Sequence, residues 1–573
     1  MKNYRNVNQG SEELLFSYSL HAQSFEAEGS EEDSVSFHRD FVTSFKHLQK
    51  KIFFVFLLML LGYSAFANNI SVTSVSLTGQ DITNDFTIVQ FTISWEKSWR
   101  TSADPVNWDA AWVFVKYRVT ATYGGDGLWK HASLNNTGHT NPAGSTITTG
   151  LLIPASTFDP TTNPGLGAFI YRDANSLAGT FTSSGVQLRW NYGVNKKNST
   201  DFIGDNDQVD IQVFAIEMVY VPQGSFYAGS GSSVTYETGF FYKHPTSTNP
   251  YQITGEGPIT VGTETNNLYY DYGSSLIGDQ AGPIPDNFPK GFTTFYCMKY
   301  EIMQQQYVDF LNSLTQAQAS TRKYTGASYR YTITGSTAGS YSTTNPYVAC
   351  NFLSWPDLAA YLDWSGLRPM TELEFEKSCR GTQTAVPNEY AWGTTGIASG
   401  AYTLSNSGAT NEAIATNYSM FGNVSYITTI GSINGPLRVG IFASNSSNTG
   451  RVTSGATYYG IMEMSGNLWE RPVTAGNIAG RSYTGLHGDG TLNTSGDATV
   501  DYWPGINGNT NIYAQNTVYG GTTGVTQAAG SGFRGGFWEN SEHELRVSDR
   551  INAASSGVLR SSNYGGRGVR TAP

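Results

Sequence analysis

The chain holds three thiols, Cys297, Cys350 and Cys379. None stands at a CxxC or CxxxH spacing, so a structural zinc site is not indicated. The odd count leaves at least one thiol free even if two pair, and as small apolar side chains all three suit core positions. Asp205, Asp207 and Asp210 crowd together ahead of a strand. Carboxylates so grouped suit calcium, but they more often cap a turn. No GxSxG, P-loop or HExxH pattern occurs. The densest group of chemically able side chains comes late: Trp538, Glu539, Asn540, Glu542, His543 and Glu544, followed by Arg546, Asp549 and Arg550. An aromatic among charged groups is the composition of a recognition surface. The bland alternative is a solvated loop with arginine–carboxylate pairs worth about 0–1 kcal/mol each when exposed. We identify no catalytic residue here and read residues 538–540 and 542–544 as a candidate ligand-binding strip.

The elements that must position these residues fall into two regimes. From Asn69 to about Ala215 the pattern is strand after strand. Phe86 and Ile88, then Phe91, Ile93 and Trp95, alternate with one slip. Ala111 to Val119 is an apolar, β-branched and aromatic run. Val186, Leu188 and Trp190 alternate, as do Val209, Ile211 and Val213. Short strands with turn-rich spacers predict an all-β antiparallel sandwich over 68–215. After Glu217 the character changes. MVYVPQGSFYAG (218–229) predicts strand, turn and strand, and Ser230 to Asn287 reads as an insertion or extended loop. Met303, Tyr307, Phe310, Leu311 and Leu314 mark one face of a helix. Ser354 with Asp357, and Thr371 with Glu374, are capping-box spacings that open two more. Helices set in irregular β structure predict an α+β domain over 216–573.

Composition narrows the function classes. Charged residues make up only 14% of the chain, against about 25% in ordinary globular domains. The net charge of −11 and the absence of clustered Lys and Arg exclude nucleic acid as the natural partner. Lys46, His47, Lys50 and Lys51 precede the apolar run Ile52 to Leu61, and Ala65-Phe66-Ala67 follows. That is the layout of a secretory signal peptide over 46–67, too short for the ~20 residues of a bilayer span. Residues 1–45 then read as a polar extension or a start assigned too far upstream. A secreted, periplasmic or surface location and no transmembrane span are expected.

From about Glu217 onward, MVYVPQGSFYAG, FYCMKYEIMQQQYVDFLN, NFLSWPDLAAYLDWSGLRPMTELEFEKSCRG, YAWG, YYGIMEMSGNLWE and GFRGGFW…RVSDR…YGGRGVR follow one another. In this order the blocks resemble the formylglycine-generating-enzyme, or sulfatase-modifying-factor, domain. The resemblance covers about five eighths of the chain and implies a C-type-lectin-like fold with little regular secondary structure. It also implies an oxidase that converts a sulfatase cysteine to formylglycine through two copper-binding cysteines near the C-terminus. In the matching segment GGFWENSEHELRVSDR those positions fall near Asn540 and Leu545, and no cysteine follows Cys379. Asn is a poor ligand for Cu(I) and Leu is none, so no copper is expected and the domain reads as a divergent member without catalytic cysteines.

Related domains in iron sulfoxide synthases take their ligands from histidines of a helical domain, whereas the first region here reads as β. The resemblance further implies calcium under the block Glu463–Glu470, held by side-chain oxygens of Glu463 and Glu470 and main-chain carbonyls of Gly466 and Leu468. Glu463 stands where a shorter Asp or Asn is usual. The alternative is that Glu470 pairs with an arginine such as Arg471 or Arg481. Arg546, Arg550 and Arg570 match arginines within the family blocks and read as structural. Some targets of diversity-generating retroelements resemble this layout too, with a ligand-binding stretch inside a frame like Arg534–Trp538 and Gly568–Arg570. The expectation is a surface or secreted binding protein for an extracellular protein or glycan. The oxidase and a purely structural surface protein are the alternatives.

Overall fold

In the run Ala111–Val119 polar residues enter only at Lys116 and Arg118, because both faces of its first half are covered. In the computed structural model, which describes residues 69–573 apart from 155, 233–235, 272 and 509–522, it forms strand β3 (Asp109–Val119) in the middle of an eight-stranded sheet. The predicted extension and signal peptide lie outside the described residues. Ala111, Val113, Val115, Tyr117 and Val119 point to one core, while Ala110, Trp112 and Phe114 point to another. A strand buried on both faces reads as a continuous hydrophobic run.

The first region contributes β1 (Ser71–Asp81), β2 (Phe86–Arg100), β3, β4 (Lys130–His131), β5 (Ser145–Leu151), β6 (Gly165–Arg172), β7 (Ser176–Trp190) and β8 (Val209–Val221). Strands β1, β2 and β7 form a three-stranded antiparallel sheet. Its inner residues, among them Val89, Ile93, Trp95, Leu188 and Trp190, share a core with the odd-numbered face of β3 and with Val209, Ile211 and Val213. This is the expected antiparallel β-rich region. The inward face of β2 differs from the reading of its sequence. Thr87, Val89, Phe91, Ile93 and Trp95 are buried in unbroken alternation, and Phe86 and Ile88 lie on the outer face. Phe86 is covered there by the Arg189 guanidinium, 4.0 Å from its ring centre.

Strand β8 pairs with β3 along its length, from Asp109↔Val219 to Val119↔Val209. It spans the 215/216 boundary drawn from sequence. Beyond it come β9 (Phe226–Ala228), β10 (Phe241–Lys243), β11 (Tyr251–Ile253), β12 (Leu268–Tyr270) and β13 (Phe295–Met298). Later short strands are β14 (Arg368–Pro369), β15 (Leu404–Ser405), β16 (Ala413–Ile414) and β17 (Gly568–Thr571). The large sheet runs β14-β17-β13-β8-β3-β6-β5, with β4 paired to β3. The stretch Ser230–Asn287, read as an insertion or extended loop, supplies Phe241, Ile253, Leu268, Tyr270, Ile277 and Ile284 to the core.

The expected helices form as α1 (Gln304–Asn312), α3 (Trp355–Trp364) and α4 (Glu372–Arg380), with a further short α2 (Gln316–Arg322). Ser354 and Thr371 cap α3 and α4, each hydroxyl accepting from the N–H three residues on. Such caps contribute about 1 kcal/mol each. Helices α1 and α3 cover the even-numbered face of β3, where Trp364 meets Phe114 edge-on with ring centres 5.1 Å apart. One buried ion cluster ties the sheet together. Lys299 Nζ lies 3.0 Å from both Asp109 Oδ2 on β3 and Glu217 Oε2 on β8. Burial opposes its charge, but the two carboxylates outweigh that and hold the ammonium protonated. Removing one partner of such a cluster costs about 3–5 kcal/mol.

Candidate functional site

Helix α4 anchors the C-terminal strip. Glu374 accepts from the Thr371 backbone N–H at 2.9 Å and takes a bidentate pair from Arg368 at 2.9 and 2.6 Å. On the helix face toward the strip, Arg534 donates to Glu372 at 2.9 Å and Glu376 at 2.8 Å, and Arg550 donates to Glu372 at 2.7 and 3.0 Å. All four are fully buried. Burial disfavours a charged Glu372, but Arg550 and Arg534 hold its carboxyl below the usual range. The strip is thus pinned at residues 534 and 550. Between the pins Gly536 has φ +73°, and a Cβ there would meet Leu545 Cδ1 at 2.6 Å. Any larger residue would push the chain off its bed.

The predicted strip residues separate by depth. Trp538 is 2% exposed; it is not a surface aromatic. Its Nε1 donates to Ser562 O at 3.3 Å, and its ring lies 5.7 Å from that of Tyr329. The glycine pair before it turns the chain inward, so the indole enters the core with Leu437, Val439 and Leu468. Glu539 and Glu542 are exposed, and Asn540, His543 and Glu544 are half-buried. Asn540 Oδ1 accepts from the Phe537 N–H at 3.0 Å and closes the turn. His543 stacks on Tyr236 with ring centres 5.0 Å apart, and Arg546 lies over the same tyrosine at 5.1 Å. Glu542 faces Arg546 at 3.9 Å.

Sequence reasoning missed Tyr236. It is 69% exposed and comes from the stretch read as a loop. Nothing local marked it, because its partners lie some three hundred residues later. Ile427, 53% exposed, extends the same face, its N–H bonded to Asn540 O at 3.1 Å. Of the arginines read as structural, Arg550 and Arg570 are fully buried and Arg546 nearly so. Arg570 packs 4.3 Å from the Trp112 ring centre, where burial and then Arg368 lower its pKa to about 9.

The two positions at which the resemblance implies thiols differ in depth. Leu545 is 0% exposed among Tyr390, Trp392, Val424 and Tyr426, and Asn540 stands at the crest. The actual cysteines are buried and unpaired. Cys297 and Cys379 share one apolar cluster and Cys350 lies in another. Burial pushes the Cys297 thiol up to about 12 and the other two upward as well. Burial thus disfavours the thiolate form at all three.

The predicted metal residues lie in a tight loop in which Glu463, Gly466 and Asn467 all take left-handed backbone, with φ of +54°, +75° and +66°. Glu463 Oε1 accepts from Gly440 N–H at 2.8 Å. Glu470 is paired, but with Arg567 rather than Arg471 or Arg481. Arg481 pairs with Asp279, and Arg471 is enclosed by Trp355, Phe533 and Tyr564. Sequence reasoning also missed Glu301, which accepts from the Leu468 N–H at 2.9 Å and from the Asn467 side chain. Burial raises the pKa of Glu301, Glu463 and Glu470, Glu463 to about 7. Among the described residues no three His, Cys, Asp or Glu side chains converge as a ready metal site. Yet Glu463 Oε2 and Glu470 Oε2 are buried without hydrogen-bond partners. Carboxylates outnumbering the Arg567 guanidinium suit a hard, oxygen-preferring cation, while the engagement of Glu470 Oε1 by Arg567 leaves that residue one free oxygen.

Asp205, Asp207 and Asp210 diverge to different partners: Tyr192, Lys197 and Arg118. Asp207 also accepts from the Gly204 N–H, which is the turn-capping role. Among the described residues no helix is long and apolar enough to cross a membrane.

No curated protein matches the chain. Residues 256–572 match the family model described as the sulfatase-modifying factor enzyme 1-like domain. The match covers more than half of the chain, and the chain belongs to the sulfatase-modifying factor family.

Proposed function

We propose that the protein is an exported binding protein that uses the crest around Glu539–Glu544 to recognise an extracellular protein or glycan, and that it does not perform the family's cysteine oxidation. One observation carries this reading. Between the buried arginines of its frame the chain carries a solvent-facing crest, with Tyr236 and His543 stacked beside Glu539 and Glu542, and neither Asn540 nor the buried Leu545, where the resemblance implies thiols, is a cysteine. Rigid aromatic groups give contact area at little entropic cost, the usual composition of a binding hot spot. The test is a pull-down from the native environment with wild-type protein and a Tyr236→Ala/Glu542→Ala/His543→Ala variant. Loss of a partner by the variant supports the crest, and identical partners remove it. Copper-loaded protein should leave the cysteine of a sulfatase peptide unchanged by mass spectrometry. Protein-dependent conversion to an aldehyde would instead favour the oxidase.

The same reading includes a structural calcium. Glu463 and Glu470 would hold it through their unpartnered oxygens, with the carbonyls of Gly466 and Leu468, and it would balance buried negative charge. A ligand that binds only the folded state stabilises by mass action. The melting temperature should therefore rise in calcium over chelator, and an unchanged value with no calcium on elemental analysis removes the ion. Export is checked by N-terminal sequencing, with Asn68 expected first. A neighbouring reverse transcriptase and an adenine-divergent repeat of the 3′ end would make the crest a diversified one.

A further inference from the structure

A cleft of about 490 Å³ opens beside β3 and β4. Lys116 and Arg118 on β3, Trp129 and Lys130 at β4, the α1–α2 turn, Trp364 and Gly490 line it. It shares no residue with the crest. Its volume falls in the range of small-ligand sites, about 300–1,000 Å³. Three cations and no carboxylate line it, in a chain of net charge −11.

The uncommitted donors are specific. Lys116 is 1% exposed, and its Nζ donates to Gly490 O at 2.9 Å, with no carboxylate in ion-pair range. Trp364 is 4% exposed, and its indole N–H has no acceptor. A buried N–H without a partner costs free energy that a ligand oxygen would recover. The amides of the cleft are already spent: Asn312 on Tyr341, Gln316 on Ser320, Ser336 and Ala338, and Gln318 on Asn493 and Thr315. Arg118 is paired with Asp210 and Lys130 with Asp126, so what the cleft offers an acceptor-rich anion is the Lys116 ammonium and the Trp364 N–H. Trp129, with Arg118 4.6 Å from its ring centre, adds an aromatic wall, and the volume exceeds what a bare oxyanion fills.

We propose that this cleft binds a small sugar bearing a carboxylate or sulfate, with the Lys116 ammonium and the Trp364 N–H donating to the anion and Trp129 flanking the ring. Binding is linked to protons. Burial lowers Lys116 to about 7, partly offset by Asp363 on α3 and by Asp489. Asp363 titrates upward, through burial and then through its acidic neighbour Asp489, which is itself exposed. His131, the cross-strand partner of Lys116 on β4, is held neutral by burial and by Lys116. An arriving anion favours the charged amine, so affinity tracks the charged fraction of Lys116, which falls about tenfold between pH 6 and pH 8.

Calorimetry on the full chain with sodium glucuronate, glucose and sodium sulfate tests this. Glucuronate should bind, glucose at least about tenfold more weakly, and glucuronate affinity should drop about tenfold from pH 6 to pH 8. Lys116→Met should abolish the anion preference. If that variant does not fold, the wild-type pH profile stands in, and glucuronate affinity should fall as the pH rises from 6 to 8. Sulfate binding as tightly as glucuronate would assign the cleft to a free anion and overturn the sugar. Equal affinity for glucose and glucuronate, a flat pH profile, or no binding overturns the site.

Discussion

Within residues 534–550 the charged side chains divide into two populations. Arg534 and Arg550 are fully buried and bonded to Glu372 and Glu376 on α4. Glu539 and Glu542, a few residues away, face water, and Glu542 has only a 3.9 Å contact with Arg546. The first group holds the strip in place and the second is carried by it. A segment built this way tolerates change at its crest without unfolding, because the energy of its placement resides in the frame. Leu545, within the same segment, belongs to the core.

The sharpest way to break this division is to cut the frame. Arg534→Met leaves Glu372 and Glu376 short of a partner in a water-free site, and chemical denaturation should show a loss of about 3–5 kcal/mol. Trp538→Ala follows at about 3 kcal/mol. That is the low end for a buried aromatic, because its neighbour Tyr329 is 40% exposed and lets water into the gap. A wild-type melting temperature in that variant would return Trp538 to the surface.

The cleft lysine gives an effect of intermediate size. Lys116 loses its proton near pH 7 in the folded chain and near 10.4 in the unfolded chain. Between those values the unfolded chain binds more protons, so this group makes stability climb with pH. Lys116→Met should remove that slope from pH 7 to 9, and an unchanged slope would mean that the amine is charged in its cleft. The smallest effect belongs to the crest: Glu542→Gln should shift stability by less than about 0.5 kcal/mol while weakening partner capture.

Local chemistry was legible. The three-residue spacings at Ser354 and Thr371 predicted capped helices, and both form. The run Ala111–Val119 was recognisable as a strand, and the ordered blocks identified the family domain. Failures came where a face or a partner had to be chosen. Phe86 and Ile88 have the hydrophobicity of core residues, yet the register with β7 puts them outside and a guanidinium covers one. Trp538 looked like a surface anchor because it is flanked by charges, but the glycine turn before it carries it inward. Glu470 found an arginine 97 positions away, not the neighbours its sequence offered.

By itself the sequence determined which segments become strands and helices, the absence of thiols after Cys379, and the family. Those depend on interactions within a few residues or on composition, and they survive without a folded partner. Only the tertiary structure decided that one sheet serves two cores and that Tyr236 meets His543. It alone brought Glu301 to the acidic loop and left Lys116 beside a cleft without a carboxylate. Each of these depends on which distant surfaces exclude water from a group, and burial, not residue type, sets the charge and reach of a side chain.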